Sequence, residues 1–223
     1  SLEKKGFITI KKIKIDRNQI REVNIGSSNS LTKIQKDVLN KLNKQLKEKD
    51  IILLHGVTSS GKTEIYIKLI EKYLKLGKQV LYLLPEISLT TQIIQKLRNH
   101  FANKISVYHS RYSLNERTEV WESIRNNKEN SQLVIGARSS VFLPFDDLGL
   151  IIVDEEHEVS YKQQDPSPRY NARDSAIYLS KIFKSKIILG SATPSIESTY
   201  NARNNKYGFV EIKERYGNIE MPF

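Results

Sequence analysis

The sequence predicts an α/β fold with a mostly parallel sheet and helices on both of its faces. Short, almost wholly apolar segments recur along the chain and alternate with longer segments whose apolar residues share one helical face. Strands that are apolar at nearly every position are typical of a parallel sheet covered on both sides. The chain has 223 residues, which is long enough to bury such a core without the help of disulfides.

The elements follow one another in a regular order from Leu31. Apolar residues recur every fourth position in the first segment, which predicts a helix over 31–47. Strands are predicted over the apolar segments 51–55, 79–84, 104–109, 132–136, 148–156, 186–191 and 207–213. Between them, helices are predicted through Leu76 and over about 88–101, 113–126 and 172–183.

Several helix ends carry their own signals. Thr32-x-x-Gln35 and Ser113-x-x-Glu116 have the pattern of a capping box, in which each end residue satisfies a backbone N–H of the other. Gly77 is placed to close the helix through Leu76. Pro194 is predicted to be the first residue of a further helix after Thr193.

Two regions are expected along the chain. Residues 1–30 are predicted to contain a basic strand segment (7–15) and a polar linker (24–30), and the main domain is predicted over 31–223. The chain begins with Ser1 and ends at Phe223 without a polar tail, so we expect it to be part of a longer protein.

Composition excludes several classes of protein. No apolar run approaches the length of a membrane span, and the N-terminus lacks the layout of a signal peptide, so a cytoplasmic location without membrane contact is expected. Without cysteine, neither a disulfide scaffold nor a Cys-ligated zinc site is possible within this chain. The net charge of +11 favours phosphate polymers as partners, although a lysine-rich soluble surface would have the same charge.

The segment from Gly56 to Thr63 fits the pattern G-x-x-x-x-G-K-[ST] in full, and it lies between a predicted strand and a predicted helix. In such a loop the backbone N–H groups and the helix N-terminus face phosphate oxygens. Lys62 is expected to reach the β- and γ-phosphates of ATP, and the Thr63 hydroxyl to ligate Mg²⁺. The predicted nucleotide-binding residues of this loop are Gly56, Thr58, Ser59, Ser60, Gly61, Lys62 and Thr63.

A second acidic segment, Asp154-Glu155-Glu156-His157, follows the apolar strand that ends at Val153. Adjacent carboxylates at the end of a buried strand are costly unless a cation balances them. Asp154 is therefore expected to hold Mg²⁺, and Glu155 to orient or deprotonate the attacking water. Together the two segments predict a nucleoside triphosphatase.

The acidic segment, with Gly190-Ser191-Ala192-Thr193-Pro194 about one βα unit later, resembles motifs II and III of superfamily 2 helicases. Further segments resemble the primosomal protein N′ (PriA) family of replication-restart helicases over nearly all of 31–223. The segments are LTKIQ (31–35), LLPEISLT (83–90), HSRYSLNER (109–117), IGARSSVFLPF (135–145), SYKQQDPSPRYNARD (160–174) and LGSATPSIES (189–198).

The resemblance implies a RecA-like lobe and a role for some of its residues. Gln35 would contact adenine, His157 would join the catalytic residues, and Ser191 and Thr193 would couple the nucleotide state to DNA movement. An aromatic-rich loop would lie between Tyr161 and Tyr170, but Pro166-Ser167-Pro168 stands where many relatives have an aromatic, and Asn171 replaces a usual histidine. Tyr161 and Tyr170 are then the aromatics that remain to stack on bases. Residues implied in DNA binding are Arg138, Ser139, Lys162, Arg169 and Tyr170; for Arg138 a structural salt bridge is an equal alternative.

The resemblance also implies parts that this chain lacks. A second lobe would supply the arginine that completes the ATP site and would carry a zinc module, so this lobe alone would hydrolyse ATP slowly or not at all. The implied function is that of the first motor lobe of an ATP-dependent, DExH-type 3′-to-5′ DNA helicase that restarts stalled forks. Its implied partners are forked and single-stranded DNA, single-stranded DNA-binding protein and primosome components. The alternatives are another DNA translocase of the superfamily, or a DNA-structure scaffold with a vestigial ATP site.

Overall fold

A computed structural model describes residues 31–110, 112–127 and 129–214. The predicted strand segment 7–15 and linker 24–30 lie outside these residues. The strands are β1 (Ile51–Gly56), β2 (Gln79–Leu83), β3 (Ile105–Tyr108), β4 (Leu133–Gly136), β5 (Leu148–Asp154), β6 (Lys186–Ser191) and β7 (Gly208–Ile212). The helices are α1 (Lys33–Gln45), α2 (Lys62–Lys75), α3 (Thr91–Phe101), α4 (Leu114–Arg125), α5 (Ala172–Phe183) and α6 (Ile196–Arg203).

All the strands of the described residues lie parallel in one sheet, in the order β3-β4-β2-β5-β6-β1-β7. The register brings three strand ends together, because Asp154 pairs with Gly190 and Ser191 pairs with His55. The carboxyl ends of β5, β6 and β1 therefore meet at one edge, where ligands bind in open parallel sheets. The predicted α/β fold with a parallel sheet is confirmed.

Side chains alternate between the two faces of the sheet, as the strand period of two requires. In β1, Ile52 and Leu54 join a core with α1, α2 and α3, whereas Leu53 joins a second core with α4 and α5 on the opposite face. Burial on both faces explains why the strands are apolar at almost every position. No helix of the described ranges is long and apolar enough to span a bilayer.

The predicted signals at the helix ends are largely confirmed. Thr32 and Gln35 form both hydrogen bonds of a capping box at the start of α1, and Ser113 and Glu116 do the same at α4. Gly77 follows α2 with φ of 74°, in the left-handed region that a glycine enters without strain.

Three predicted boundaries are wrong. The strand predicted over 148–156 ends at Asp154, since Glu155 turns the chain with φ of 48°. The helix predicted near 88 begins at Thr91, because the Thr90 side chain caps it. Pro194 is not the first helical residue either, as the Ser195 side chain accepts from the Ser198 N–H and α6 begins at Ile196.

Candidate nucleotide-binding site

The loop between β1 and α2 has the backbone of a phosphate cradle. Ser59 and Gly61 have φ of 61° and 80°, which curls the chain before the first turn of α2. Gly56 lies under this curl, and a Cβ there would meet Ser60 Oγ at 2.9 Å. Ser60 Oγ is buried and has no hydrogen-bond partner within the described part of the chain. A buried, unsatisfied hydroxyl in such a loop fits a ligand that offers hydrogen-bond acceptors.

Lys62 begins α2 and is only 8 % exposed. Its Nζ donates to the Gly56 carbonyl at 2.8 Å, so the side chain points back towards the start of the loop. An ammonium carries three donors, and this single bond leaves the charge available to an anionic ligand. The predicted position of Lys62 beside the phosphate cradle agrees with this geometry.

Asp154 ends β5 at the middle of the sheet, where two buried hydroxyls donate to its carboxylate. The distances are 3.2 Å from Tyr66 to Oδ1 and 3.1 Å from Tyr82 to Oδ2. Burial, and after it the charge of Glu155, raises the pKa of Asp154 to about 6, although Lys62 and the two hydroxyls act to lower it. A carboxylate that is costly to ionise in this position fits a site that a cation completes.

Most of the predicted residues from these segments border one cavity of about 400 Å³. Its lining includes Gln35, whose buried Nε2 has no hydrogen-bond partner within the described residues. The other lining residues are Ser59, Ser60, Gly61, Lys62, Thr63, Glu64, Lys96, Asp154 and Glu155. Gly56 lies behind this lining and Thr58 is exposed on the outer turn of the loop, so neither borders the cavity.

Glu64 and Lys96 are cavity residues that the sequence analysis missed. They form an ion pair of 2.7 Å between α2 and α3. Glu64 directly follows the P-loop pattern and could have been suspected, but nothing in the sequence near Lys96 indicates that α3 returns to this cavity.

His157 lies beside the cavity without lining it. Its Nδ1 is 2.7 Å from Ser191 Oγ and 3.7 Å from Glu155 Oε2. Ser191 Oγ in turn accepts from the Thr193 N–H at 2.9 Å. The acidic segment and the 190–194 segment are thus joined by hydrogen bonds, and the predicted catalytic role of His157 stays a prediction.

Glu156 turns away from the cavity into the protein, where its side chain is 0 % exposed. It accepts from the Ser195 N–H at 2.7 Å and from the Ser198 hydroxyl at 2.9 Å. Arg173 of α5 donates to it at 3.2 Å. Of the three adjacent carboxylates, Glu156 is therefore the structural one, and it ties β5 to both α5 and α6.

The predicted DNA-binding residues lie at the same sheet edge but outside the cavity. Arg138 and Ser139 are half-buried in a short 3₁₀ turn after β4, and Lys162 and Arg169 are exposed in the segment 162–170. The ring of Tyr170 packs edge-on against Phe142, with centroids 4.7 Å apart. The structure brings these residues to one side of the sheet edge, and their contact with DNA stays a prediction.

Tyr161 was also expected to be available for stacking on bases, and this is wrong. Its ring is buried at 1 % exposure, and its hydroxyl donates to the Asp154 backbone oxygen at 2.7 Å. A ring held in the core cannot stack on a base. Its hydroxyl instead stabilises the backbone at the end of β5.

The residues present fit a nucleotide with Mg²⁺. The loop offers backbone donors at a helix N-terminus, Ser60 has an unsatisfied hydroxyl, and Lys62 supplies a charge. Thr63 and Asp154 border the cavity with the oxygen donors that Mg²⁺ prefers.

A model of the DEAD/DEAH box helicase family matches residues 32–202, which is most of the chain. The chain belongs to this family. Among curated relatives of this helicase lobe, replication restart protein PriA of Bacillus subtilis is 45 % identical over 175 residues, covering 78 % of this chain and 21 % of the relative. PriA of Haemophilus influenzae is 50 % identical over 169 residues, covering 76 % of this chain and 23 % of the relative. PriA of Rickettsia prowazekii is 44 % identical over 215 residues, covering 96 % and 32 %.

The resemblance to the PriA family is therefore confirmed, and the chain spans between a fifth and a third of the length of these relatives. Solved helicase structures share the RecA-like fold of this lobe. RecG bound to a three-way DNA junction has a TM-score of 0.59 at 23 % identity, covering 87 % of this chain and 24 % of RecG. The Hef helicase domain of Pyrococcus furiosus has a TM-score of 0.57 at 17 % identity, covering 85 % and 41 %.

Proposed function

We propose that residues 31–223 are the first motor lobe of an ATP-dependent, DExH-type 3′-to-5′ DNA helicase that restarts stalled replication forks and directs primosome assembly. One observation supports this above the others: Lys62 of the phosphate loop and the Asp154-Glu155 pair border the same cavity. Lys62 and the acidic pair come from segments that are far apart in the sequence. The similarity to replication restart proteins narrows the proposal from a triphosphatase to this kind of helicase.

The residues of the cavity have distinct tasks in ATP hydrolysis. Backbone N–H groups from Ser59 to Thr63 donate to phosphate oxygens. The Lys62 ammonium gives up its hydrogen bond to the Gly56 carbonyl and binds the β- and γ-phosphates instead. Thr63 and Asp154 would hold Mg²⁺, which would neutralise charge on the phosphates when bound. Glu155 orients the attacking water and accepts its proton.

Gln35 and the 190–194 segment extend this site in two directions. Gln35 has a free amide donor beside the cavity, which suits the acceptor edge of adenine. Ser191 contacts His157, so a change at the acidic segment is passed to the loop that follows β6. That loop then reports the nucleotide state to the DNA-binding side.

DNA binding is assigned to the exposed side of the same edge. Arg138, Ser139, Lys162 and Arg169 contact the phosphates of single-stranded and forked DNA, and Tyr170 contacts a base. Single-stranded DNA-binding protein and primosome components are the proposed protein partners, in the cytoplasm. The curated relatives are restart proteins by name, which supports this assignment.

Turnover needs more than this lobe. The relatives are several times longer than this chain, and we place in that additional length a second lobe with an arginine that completes the ATP site and a zinc module. Such an arginine is worth about 10³–10⁵ in rate. We therefore expect this chain to bind nucleotide and to hydrolyse it slowly or not at all.

A titration with a fluorescent ATP analogue and Mg²⁺ tests the proposed site. Binding is expected for the wild-type chain, and Lys62→Ala should weaken it at least tenfold because the phosphates lose their main positive partner. Lys68→Ala is the matched control, since Lys68 lies on the same helix and pairs with Glu71 at 3.1 Å instead. No binding by the wild type, or an equal loss in both variants, would contradict the proposal.

A second titration, with single-stranded DNA at several salt concentrations, tests the assigned DNA surface. Because each neutralised phosphate releases counterions, affinity should fall steeply with salt, and removing Lys162 and Arg169 together should reduce the log–log slope by about 1–2. The matched control removes Lys75 and Lys181, one near the end of each of two helices. An unchanged slope in the Lys162/Arg169 variant would mean that these cations do not contact DNA.

A further inference from the structure

The Asp154 carboxylate is held by two tyrosines from different elements. Tyr66 is on α2 and Tyr82 is on β2, and each is completely buried. Their hydroxyls donate to the two carboxylate oxygens separately, to Oδ1 at 3.2 Å and to Oδ2 at 3.1 Å. With one tyrosine hydroxyl on each oxygen, the plane of the carboxylate is fixed in addition to its position.

The two rings also fix each other. Their centroids are 5.7 Å apart at an interplanar angle of 68°, an edge-to-face arrangement that aromatic pairs prefer. Phenylalanine would satisfy this contact equally well and would avoid burying a hydroxyl. The hydroxyls therefore need an explanation beyond packing, and the bonds to Asp154 are their visible use.

Asp154 has two further donors, one to its backbone and one to its side chain. The Tyr161 hydroxyl donates to the Asp154 backbone oxygen at 2.7 Å, and the Glu155 N–H donates to Oδ1 at 3.1 Å. The Lys62 ammonium borders the same cavity and is bonded to the Gly56 carbonyl. The carboxylate that accepts these bonds still borders the cavity, where a cation can reach it.

A neighbouring strand makes room for this arrangement. A methyl group at residue 190 would overlap the Tyr66 hydroxyl, so the glycine of the 190–194 segment is what allows Tyr66 to reach Asp154. The position of one hydroxyl therefore depends on α2, β5 and β6 together.

We propose that Tyr66 and Tyr82 are positioning residues for Mg²⁺: they hold the Asp154 carboxylate in the orientation in which it ligates the ion, directly or through a water. This inference rests on the proposed function, which assigns Asp154 to Mg²⁺. Hydrogen-bond partners of metal-ligating groups typically change metal affinity about 10–100-fold when they are removed. Tyrosine hydroxyls on a carboxylate at a strand end are such partners.

The test is the Mg²⁺ dependence of nucleotide binding. The dissociation constant of a fluorescent ADP analogue is measured for the 223-residue chain in EDTA and over a range of Mg²⁺ concentrations. Tyr66→Phe and Tyr82→Phe should each raise the Mg²⁺ concentration for half-maximal effect by about 3–10-fold, and the double variant by about 10–100-fold. Affinity in EDTA should stay at the wild-type value, because the phosphate loop is untouched.

Tyr73→Phe is the matched control, since Tyr73 lies two turns further along α2, beside Gly149 at the other end of β5. It should leave the Mg²⁺ dependence unchanged. A direct readout is the binding of Mn²⁺ to the nucleotide complex, followed by electron paramagnetic resonance, which should weaken in the same order as the Mg²⁺ effect.

Three outcomes would overturn the inference. One is an unchanged Mg²⁺ dependence in variants that unfold at the wild-type temperature. Another is an equal loss of affinity in EDTA and in Mg²⁺, which would make the tyrosines merely structural. A wild type that binds the nucleotide without any Mg²⁺ effect is the third. A wild type that binds no nucleotide would instead overturn the proposed function itself.

Discussion

Charged side chains differ in solvent exposure between the amino edge of the sheet, where the parallel strands begin, and the carboxyl edge, where they end. At the amino edge, Lys78 pairs with Asp147 at 2.6 Å, and the two side chains are 43 % and 49 % exposed. At the carboxyl edge, Glu156 is fully buried and accepts from Arg173 and from groups of α6, while Asp154 lies between two buried hydroxyls. The same residue types are therefore solvated at one edge and desolvated at the other.

This difference separates stability from function. Exposed ion pairs contribute little to folding because water and salt screen them. Buried carboxylates are costly to ionise, and a fold keeps them when hydrogen bonds or a ligand offset that cost. The carboxyl edge shows both cases side by side: Glu156 is satisfied within the protein, whereas Asp154 keeps a raised pKa that a cation would relieve.

The largest effect at the carboxyl edge is expected from Glu156→Ala. The change removes the acceptor of the Ser195 N–H and of two hydroxyls, and it leaves Arg173 with its exposed partners Asp174 and Glu197. The free energy of unfolding should fall by about 3 kcal/mol, as when one partner of a buried pair is lost. Urea denaturation measures it. Glu156→Gln keeps an acceptor and should lower the free energy of unfolding by less. If Glu156→Ala lowers it by no more than a change at the amino edge does, the two edges do not differ in this way.

Gly190→Ala is expected to have the second-largest effect. The added methyl group would overlap the Tyr66 hydroxyl, and its next neighbours are the Tyr66 ring and the Asp154 carboxylate. Overpacking of this kind costs about 1–3 kcal/mol. Thermal unfolding of Gly190→Ala in the Tyr66→Phe background provides the control, since removing the hydroxyl should recover part of the loss. No recovery would place the clash elsewhere.

Asp154→Asn should stabilise the chain in the absence of Mg²⁺, and only at higher pH. The carboxyl has a pKa of about 6 in the folded state against 3.8 as the ordinary value, so it binds its proton more tightly when folded. Ionisation therefore costs folding free energy above pH 6, and this cost disappears as the pH falls below 4. Since the cavity admits water, we expect about 1–2 kcal/mol at pH 8 and almost nothing at pH 4.

Urea denaturation of wild type and Asp154→Asn in EDTA at the two pH values measures this prediction. A stabilisation that is equal at both would show that the charge is not its cause. Saturating Mg²⁺ and nucleotide should reverse the order at pH 8, because only the aspartate gains from the cation.

The smallest effect is expected at the amino edge. Lys78→Ala removes a largely exposed ion pair and should change the free energy of unfolding by less than about 1 kcal/mol. This difference should be smaller at high salt than at low salt, because salt screens exposed charges. A larger, salt-independent cost would mean that the amino edge is also built on its charges.

Local pattern was enough to predict much of this molecule. Apolar periodicity gave the parallel sheet and its helices, and the spacing of Thr32 and Gln35 gave a capping box that the structure contains. The phosphate loop and the acidic segment were also visible as short contiguous patterns, and both border the cavity. Such features depend on residues a few positions apart, so the sequence carries them directly.

Tertiary structure decided the rest. Tyr82 and Lys96 reach the site from segments without a motif of their own, and Tyr66 follows the phosphate-loop pattern without being part of it. Tyr161 is in the core although its loop resembles a DNA-binding one. Nothing near Glu156 in the sequence distinguishes it from its two neighbours. It is structural because β5 ends where α5 and α6 can reach it with donors. The packing of distant segments fixes how far each carboxylate is desolvated and which hydrogen bonds it accepts. This packing therefore decides whether a carboxylate contacts water, a hydroxyl or a cation.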